Sequence, residues 1–200
     1  MARRARLSAD DWVAAALEVL VSEGIGAVKI LRLAARLGVN RGSFYWHFDN
    51  RAALLDRLLE VWDETNSGTI IAAATSRGSI VDRYVALMRC WLALERFDPR
   101  LEAAVRRWGR SNPELRERLR ATDARRVEAC AAMLATEVAD PTMALHRART
   151  MYYLQMGWYE LEAGLPTDAQ IEASPYCFEI YVGRPPSGDE RTAILAGLRA

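Results

Sequence analysis

The stretch KILRLAARLGVNRGSFYWHF, residues 29–48, decides the fold of this chain. Its apolar residues recur at helical spacing from Ile30 to Leu37 and predict a short helix with one buried stripe. Gly38 follows the last apolar residue and favours a left-handed helix end. Asn40 has a side-chain oxygen that can cap a second helix, which is predicted from about Arg41 to His47. The stretch therefore predicts two short helices joined by a tight turn.

The second of these helices presents an unusual set of side chains. Phe44 and Phe48 lie four residues apart and are predicted to face the core. The remaining side chains are cationic, small, hydroxyl-bearing or aromatic: Arg41, Gly42, Ser43, Tyr45, Trp46 and His47. Such a helix suits the major groove of DNA, and its positive dipole end favours phosphate. An ordinary helical hairpin would explain the two phenylalanines but not the three successive side chains from Tyr45 to His47.

Residues 29–48 and the following Asp49–Leu55 resemble the helix-turn-helix and the start of the fourth helix of TetR-family transcriptional regulators (TetR/AcrR type). The resemblance rests on LAARLGV, a cap residue, GSFYWHF, a basic residue three positions later and an apolar pair. The segment from Leu7 to Gly24 is similar to the first helix of that family, so the resemblance covers the first quarter to third of the chain. Lys29 departs from the family, which usually has Thr or Ser as the cap of the second helix.

The resemblance implies binding to a double-stranded DNA operator. We predict that Arg41, Ser43 and Trp46 contact base edges or thymine methyl groups, because these contacts carry sequence preference. The predicted phosphate contacts are Asn40, Tyr45, His47 and Arg51. The full predicted DNA-binding set is Lys29, Arg32, Asn40, Arg41, Gly42, Ser43, Tyr45, Trp46, His47 and Arg51.

The charge of the chain is unevenly distributed. The 200 residues carry a net charge of +1, which argues against a globally basic nucleic-acid binder. Residues 1–51 hold eight basic and five acidic residues, which places a net charge of +3 at this end. Arg3, Arg4 and Arg6 form a short basic arm for DNA or a basic tail, and both interpretations stay open.

No targeting or membrane segment is recognisable in the sequence. The most apolar N-terminal run, Val13 to Val21, is too short to span a bilayer and is interrupted by a glutamate. We therefore predict a cytoplasmic protein without a membrane partner. Cys90, Cys130 and Cys177 have no C-x-x-C spacing, so they are predicted to be reduced core residues and not a metal site, with a thiol switch left open.

Beyond Arg51 the pattern stays helical, so the predicted fold is all-α. The predicted domains are a helix-turn-helix domain, residues 1–67, and a helical ligand-binding and dimerisation domain, residues 68–200, with a junction at about residues 66–78 where Gly68 and the Ser76–Ser79 cluster interrupt the periodicity. The predicted helices run from near Asn50 through Trp62, from Ile80 to before Asp98, from Leu101 to Trp108, from Pro113 to about Val138, from Pro141 to about Ala163 and, because Pro175 forbids continuity, from Tyr176 to Tyr181.

The run MYYLQMGWYELE, residues 151–162, is apolar on more than one side. A helix of this kind buries two faces, and a second subunit is the simplest cover for the outer one. Together with the Tyr176–Tyr181 segment it predicts a two-fold four-helix bundle, the homodimer that the resemblance also implies.

The resemblance further implies a cavity for a small-molecule effector in the larger domain. The candidate lining residues predict an apolar or aromatic ligand: Tyr84, Met88, Trp91, Phe97, Trp108, Met133, Tyr152, Gln155, Met156 and Tyr159. The predicted function is a ligand-responsive homodimeric repressor released from a palindromic operator by its effector. The alternative is a dimeric ligand-binding or adaptor protein without DNA binding. The chain has only two histidines, His47 and His146, and no motif pairs a nucleophile with a base, so neither an enzyme nor a cofactor is predicted.

Overall fold

The computed structural model describes residues 7–92, 97–161 and 167–200, and all regular structure in these ranges is helical. The all-α fold class predicted from the sequence is therefore confirmed. The helices are α1 (Ala9–Glu23), α2 (Ile30–Leu37), α3 (Arg51–Trp62), α4 (Gly68–Thr75), α5 (Ile80–Trp91), α6 (Pro99–Arg110), α7 (Pro113–Leu134), α8 (Pro141–Glu160), α9 (Thr167–Val182) and α10 (Gly188–Arg199).

Side-chain caps fix where several helices begin. Ser8 forms a capping box with Asp11: the Asp11 amide donates to Ser8 Oγ over 3.2 Å, and the Ser8 amide donates to Asp11 Oδ2 over 2.7 Å. Asn112 caps α7, because the Leu115 amide donates to Asn112 Oδ1 over 3.0 Å. These caps satisfy amides that have no acceptor within their own helix.

The chain divides into two compact units. The first contains residues up to Glu64 together with Arg100–Glu117, and the second contains Thr65–Pro99 and Arg118–Ala200. This division differs from the single boundary predicted after residue 67, because α6 packs with the first unit. Trp62 Nε1 donates to the buried Glu102 Oε2 over 2.8 Å, and Arg106 Nε donates to Glu102 Oε1 over 2.8 Å. The functional division into domains stays a prediction.

The predicted interruption at Gly68 is wrong, since the helix continues through it. Residues Asp63–Ser67 form a π-helical segment between α3 and α4. Asn66 fixes this segment: its side-chain amide donates to the Asp98 carbonyl over 3.0 Å, and its Oδ1 accepts from the Asp98 amide over 3.1 Å. The tertiary hydrogen bonds of Asn66 therefore outweigh the tendency of Gly68 to interrupt a helix. The helix ends instead at Thr75, where the predicted Ser76–Ser79 cluster begins.

The predicted break at Pro175 is also wrong, because α9 runs unbroken through the proline. Tyr176 to Tyr181 is thus the second half of a longer helix. Pro175 is buried, and beside it the Tyr84 hydroxyl donates to the Ser174 carbonyl over 2.8 Å. A proline inside a helix costs about 3 kcal/mol, and the packing of this helix offsets that cost.

The core of the second unit is built from α4, α5 and α7 to α10. Tyr84 and Phe178 meet edge to face with ring centroids 5.2 Å apart. Cys90 and Cys130 are buried, Cys177 is half-buried, and the three form no disulfide. Burial raises the pKa of the Cys130 thiol to about 12, so this thiol stays protonated at neutral pH. No helix in the described ranges is both long and apolar enough to cross a membrane.

Candidate nucleic-acid interface

The turn between the two short helices forms as predicted. Gly38 has φ 67° and ψ 33°, the left-handed conformation that a glycine adopts without steric cost. The Gly38 amide donates to the Ala35 carbonyl over 3.2 Å, and the Val39 amide donates to the Ala34 carbonyl over 3.0 Å. These bonds satisfy the last carbonyls of α2 and reverse the chain within a few residues.

The second predicted helix is tighter and shorter than an α-helix. Arg41–Trp46 forms a 3₁₀ helix, which we call the recognition turn. Asn40 caps it as predicted, because its Oδ1 accepts from the Ser43 amide over 3.1 Å. A Cβ atom on Gly42 would lie 3.1 Å from that same Asn40 oxygen. A 3₁₀ helix is common in short segments. Because residue 42 has no side chain, the Asn40 oxygen has room to accept the hydrogen bond from the Ser43 amide.

A buried phenylalanine anchors the recognition turn. Phe44 is fully buried; its ring meets Trp12 edge to face with centroids 5.2 Å apart and stacks on Phe48 at 5.5 Å. Trp46 is 69% exposed and Tyr45 is 44% exposed. Since a large aromatic side chain gains stability from burial, an exposed tryptophan two residues from a buried phenylalanine indicates a surface made for a partner.

Arg41 and Tyr45 act as one unit on this surface. Arg41 Nη2 donates to the Tyr45 hydroxyl over 2.8 Å, and Arg41 Cζ lies 5.5 Å from the centroid of the Tyr45 ring. The arginine thus combines a hydrogen bond with a cation–π contact. Both side chains are exposed, so the pair presents a positive charge and an aromatic hydroxyl together.

Two arginines of the predicted DNA-binding set are held by contacts within the protein, and a third residue of that set, His47, is half-buried. Arg51 Nε donates to the Val28 carbonyl over 2.6 Å and Nη2 to the Ile25 carbonyl over 2.9 Å. Arg32 forms an ion pair with Glu23 at 2.5 Å. His47 Nε2 is buried and finds no hydrogen-bond partner among the described residues. The contacts of Arg51 and Arg32 have a role within the fold. The DNA contacts of all three residues stay predictions.

Two residues near the start of α2 complete this surface. Lys29 is exposed, and in the described structure its side chain does not cap α2, so the departure from the family pattern costs the helix that cap. Leu31 is 67% exposed and was not among the predicted contacts. The sequence indicates this exposure, because Leu31 lies outside the apolar stripe of α2.

The ten predicted effector residues fall into three groups. Tyr84, Met133 and Tyr152 are fully buried core residues, Met88 belongs to the same core, and Met156 packs against it. Trp108 belongs to the first compact unit. Trp91, Phe97, Gln155 and Tyr159 come together, and we call them the Trp91 cluster. The Tyr159 hydroxyl donates to the Trp91 carbonyl over 2.8 Å, Gln155 Nε2 donates to it over 3.5 Å, and the Phe97 and Tyr159 rings stack at 5.4 Å.

The indole of Trp91 has an unusual environment. It is 3% exposed, and its Nε1 is buried without a hydrogen-bond partner among the described residues. A buried donor left unsatisfied costs about 1–3 kcal/mol. An acceptor atom on a bound compound would recover that free energy. Within the described residues no group of three His, Cys, Asp or Glu side chains is arranged to hold a metal ion.

The second unit carries an exposed apolar surface on two packed helices. Met143 and Leu154 on α8 are 45% and 48% exposed, and Tyr176 and Ile180 on α9 are 59% and 66% exposed. We call these four residues the α8–α9 apolar face. Arg147 Nη1 of α8 lies 3.5 Å from the Tyr181 carbonyl of α9. Large exposed apolar residues on two packed helices are candidates for an interaction surface.

Residues 13–58 match the model of a family described as bacterial regulatory proteins, tetR family. The class A tetracycline repressor from transposon 1721 of Escherichia coli is 42% identical over 55 residues, which are 28% of this chain and 26% of that protein. The HTH-type transcriptional regulator SrpR of Pseudomonas putida is 35% identical over 63 residues, 30% of each chain. The chain thus aligns with about a quarter to a third of the length of these curated relatives.

The fold similarity extends further than the sequence similarity. The crystal structure of Mycobacterium smegmatis AmtR has a TM-score of 0.65 at 20% identity, covering 100% of this chain and 98% of that one. NalD, described as the secondary repressor of the MexAB-OprM multidrug efflux pump in Pseudomonas aeruginosa, has a TM-score of 0.59 at 18% identity, covering 90% and 96%. At these identities the likeness concerns the fold alone.

Proposed function

We propose, from the premise that the helix-turn-helix segment of this chain belongs to the tetR family of bacterial regulatory proteins, that the protein is a ligand-responsive DNA-binding transcriptional regulator. The observation that carries the proposal is the recognition turn. Its aromatic and cationic side chains are exposed, while Phe44 fixes its backbone from the inside. Such a turn presents rigid side chains to base edges, and rigid elements give precise contacts.

We further propose that the regulator is a homodimer that represses from a palindromic operator. One recognition turn offers few base contacts, whereas two turns separated by one helical turn of DNA, about 34–36 Å, read a two-fold site. The α8–α9 apolar face supports this assembly, because a two-fold interface brings the same patch of both subunits together. Similarity of residues 13–58 to tetracycline repressors supports repression, and operator DNA as the partner supports a cytoplasmic location.

The proposed effector is a small apolar or aromatic compound with one hydrogen-bond acceptor, held at the Trp91 cluster. The Trp91 indole N–H would donate to that acceptor, and the Phe97 and Tyr159 rings supply apolar area. The protein is released from the operator if the effector binds more tightly to a dimer whose recognition turns are displaced from their DNA-binding positions. Coupling of about 1–3 kcal/mol, roughly 5- to 150-fold in affinity, is typical of such linkage.

The experiment that tests the function is selection of bound sequences from a random duplex pool with the purified chain. We expect the selected sequence to be palindromic. The affinity of the protein for it should fall steeply as the salt concentration rises, because phosphate contacts release counterions. If no sequence is enriched at low salt by protein shown to carry no bound compound, the alternative of a dimeric ligand-binding or adaptor protein without DNA binding is favoured instead.

Replacing Trp46 with alanine is expected to lower affinity for the selected operator by about 1–3 kcal/mol and to relax its preference at the contacted position. The side chain is exposed, so the folded structure should persist. Titration of the variant against the operator and its single-base variants measures both effects. Tyr45→Phe is the matched control, since loss of a phosphate contact should weaken all sequences alike. An unchanged sequence preference in Trp46→Ala would contradict the assigned base contact.

Replacing Trp91 with phenylalanine keeps an aromatic ring and removes the N–H. We expect the effector-free protein to lose less stability than a large-to-small core substitution usually costs, because a donor without a partner among the described residues is removed together with the larger ring. Affinity for a compound found by thermal-shift screening should fall by about 1 kcal/mol or more. Tyr84→Phe is the comparison, because its hydroxyl already donates to Ser174; it should destabilise the fold without changing effector affinity. Equal effector affinity in Trp91→Phe and wild type would remove the proposed donor role.

A further inference from the structure

A groove of about 330 Å³ lies between α7 and α8 of the second unit. Its base includes Val127, which is buried, and Leu145, which is half-buried. Tyr153 lines it as well and is 60% exposed, so its ring is available to a flat molecule. A volume of this size holds a small organic compound.

The charges around the groove are balanced. Arg120 and Arg149 contribute two guanidinium groups, and Asp123 and Glu128 contribute two carboxylates. A purely anionic or purely cationic ligand would meet like charges as well as opposite ones. A compound that carries both charges on an aromatic ring matches the lining better, because each end finds an opposite partner and the ring finds Tyr153.

This groove is a different place from the Trp91 cluster. None of the ten residues predicted to hold an effector lines it. The helix face that it uses carries Leu145, Arg149 and Tyr153 at intervals of four residues, so the three side chains lie on one side of α8.

A buried chain of hydrogen bonds leads from the groove into the unit. The Tyr152 hydroxyl donates to Asp123 Oδ1 over 2.6 Å and accepts from Arg126 Nη1 over 3.0 Å. Arg126 Nε and Nη2 both donate to Ser67 Oγ, over 3.0 Å and 2.8 Å. Arg126 is fully buried, so its position depends strongly on these polar partners.

This series of hydrogen bonds ends at the π-helical segment. Ser67 is the last residue of Asp63–Ser67, where the backbone leaves the α-helical register. π-Helical segments are frequent at functional sites because they depart from the regular hydrogen-bond ladder. Asp123 therefore joins a surface groove to an irregular backbone segment through two buried side chains, Tyr152 and Arg126.

We propose that the α7–α8 groove is a second small-molecule site, selective for aromatic zwitterions, and that Asp123 transmits its occupancy through Tyr152 and Arg126 to Ser67. The cationic end of the ligand engages Asp123 and Glu128 and competes with the Tyr152 hydroxyl for Asp123. The anionic end engages Arg120 and Arg149. Binding at the groove stands without DNA binding, whereas the consequence for operator affinity rests on the proposed function.

The binding test uses 4-guanidinobenzoate as the probe, with isothermal titration of the full-length chain. We expect saturable binding with one probe per chain. Ala124→Trp fills the groove with an indole and should weaken binding about tenfold or more, since it occupies the volume that the probe needs. Ala121→Trp is the matched control, an exposed alanine of the same helix that does not line the groove. Absence of saturable binding to wild type, or equal binding by the two variants, would overturn the site.

The transmission test measures operator affinity with and without saturating probe. We expect the probe to change wild-type affinity by about fivefold or more. Ser67→Ala removes the acceptor of two N–H groups of the buried Arg126, so thermal unfolding first establishes that the variant is folded. The folded variant should bind the probe as wild type does and lose the response of operator affinity to the probe. A wild-type protein that binds the probe with no change in operator affinity overturns the transmission. Failure of the operator selection itself counts against the proposed function, and the binding test still decides the site.

Discussion

Replacing Ile180 with arginine is expected to yield a monomer and to lower affinity for the selected operator by about 100-fold or more. Ile180 is 66% exposed on α9 and lies one turn from the exposed Tyr176. In a two-fold interface each substitution is present on both subunits. A charge buried there without a partner costs several kcal/mol. A monomer retains only one recognition turn, so it loses the second half-site.

Sedimentation velocity and operator titration measure the two parts of this prediction. Ile180→Val keeps an apolar side chain at the position and should remain dimeric. Ala193→Arg adds the same charge at an exposed position of α10, outside the α8–α9 apolar face, and should also remain dimeric. A stable dimer of Ile180→Arg would show that the subunits associate through another surface.

Replacing Phe44 with alanine is expected to lower the free energy of unfolding of the first compact unit by about 3–5 kcal/mol, the usual cost of truncating a buried phenylalanine. The side chain is fully buried, and its ring contacts the rings of Trp12, Tyr45 and Phe48 with centroid distances of 5.2, 5.4 and 5.5 Å. Since these contacts hold the recognition turn, operator binding should be lost with them.

Denaturant unfolding followed by circular dichroism gives the change in stability. The neighbouring Trp46→Ala is the internal comparison: its side chain is exposed, so its free energy of unfolding should stay within about 0.5 kcal/mol of wild type. The pair thus separates loss of folding from loss of a DNA contact at two positions of the same turn. A Phe44→Ala protein as stable as Trp46→Ala would mean that the recognition turn does not depend on its anchor.

The sequence predicts the helix-turn-helix well because the signals there are local. Gly38 takes the left-handed conformation, Asn40 caps the next turn, and Phe44 packs inward, as the pattern indicates. Each of these depends on residues within a few positions along the chain. The exposed Tyr45 and Trp46 follow from the same spacing, since a short turn with an inward Phe44 leaves its other side open.

The features that the sequence missed depend on residues far apart in the chain. Pro175 stays within α9, although its local effect is to break a helix, because tertiary packing offsets the cost. Arg51 looked available for phosphate, yet its guanidinium donates to carbonyls more than twenty positions earlier. The buried indole N–H of Trp91, which has no hydrogen-bond partner among the described residues, is invisible to pattern analysis, because an aromatic residue at helical spacing indicates only that it is buried.

The close approach of residue 42 to the Asn40 side chain limits which residues of the recognition turn can be varied to select new DNA sequences. Any side chain at residue 42 crowds the oxygen that caps the recognition turn, and a lost cap costs about 1 kcal/mol. Libraries that aim at new operator sequences should therefore vary Arg41, Ser43 and Trp46 and keep glycine between them. Under the proposed base contacts, sequence preference is set by three side chains, and a fourth at residue 42 requires the Asn40 cap to shift by a few tenths of an ångström.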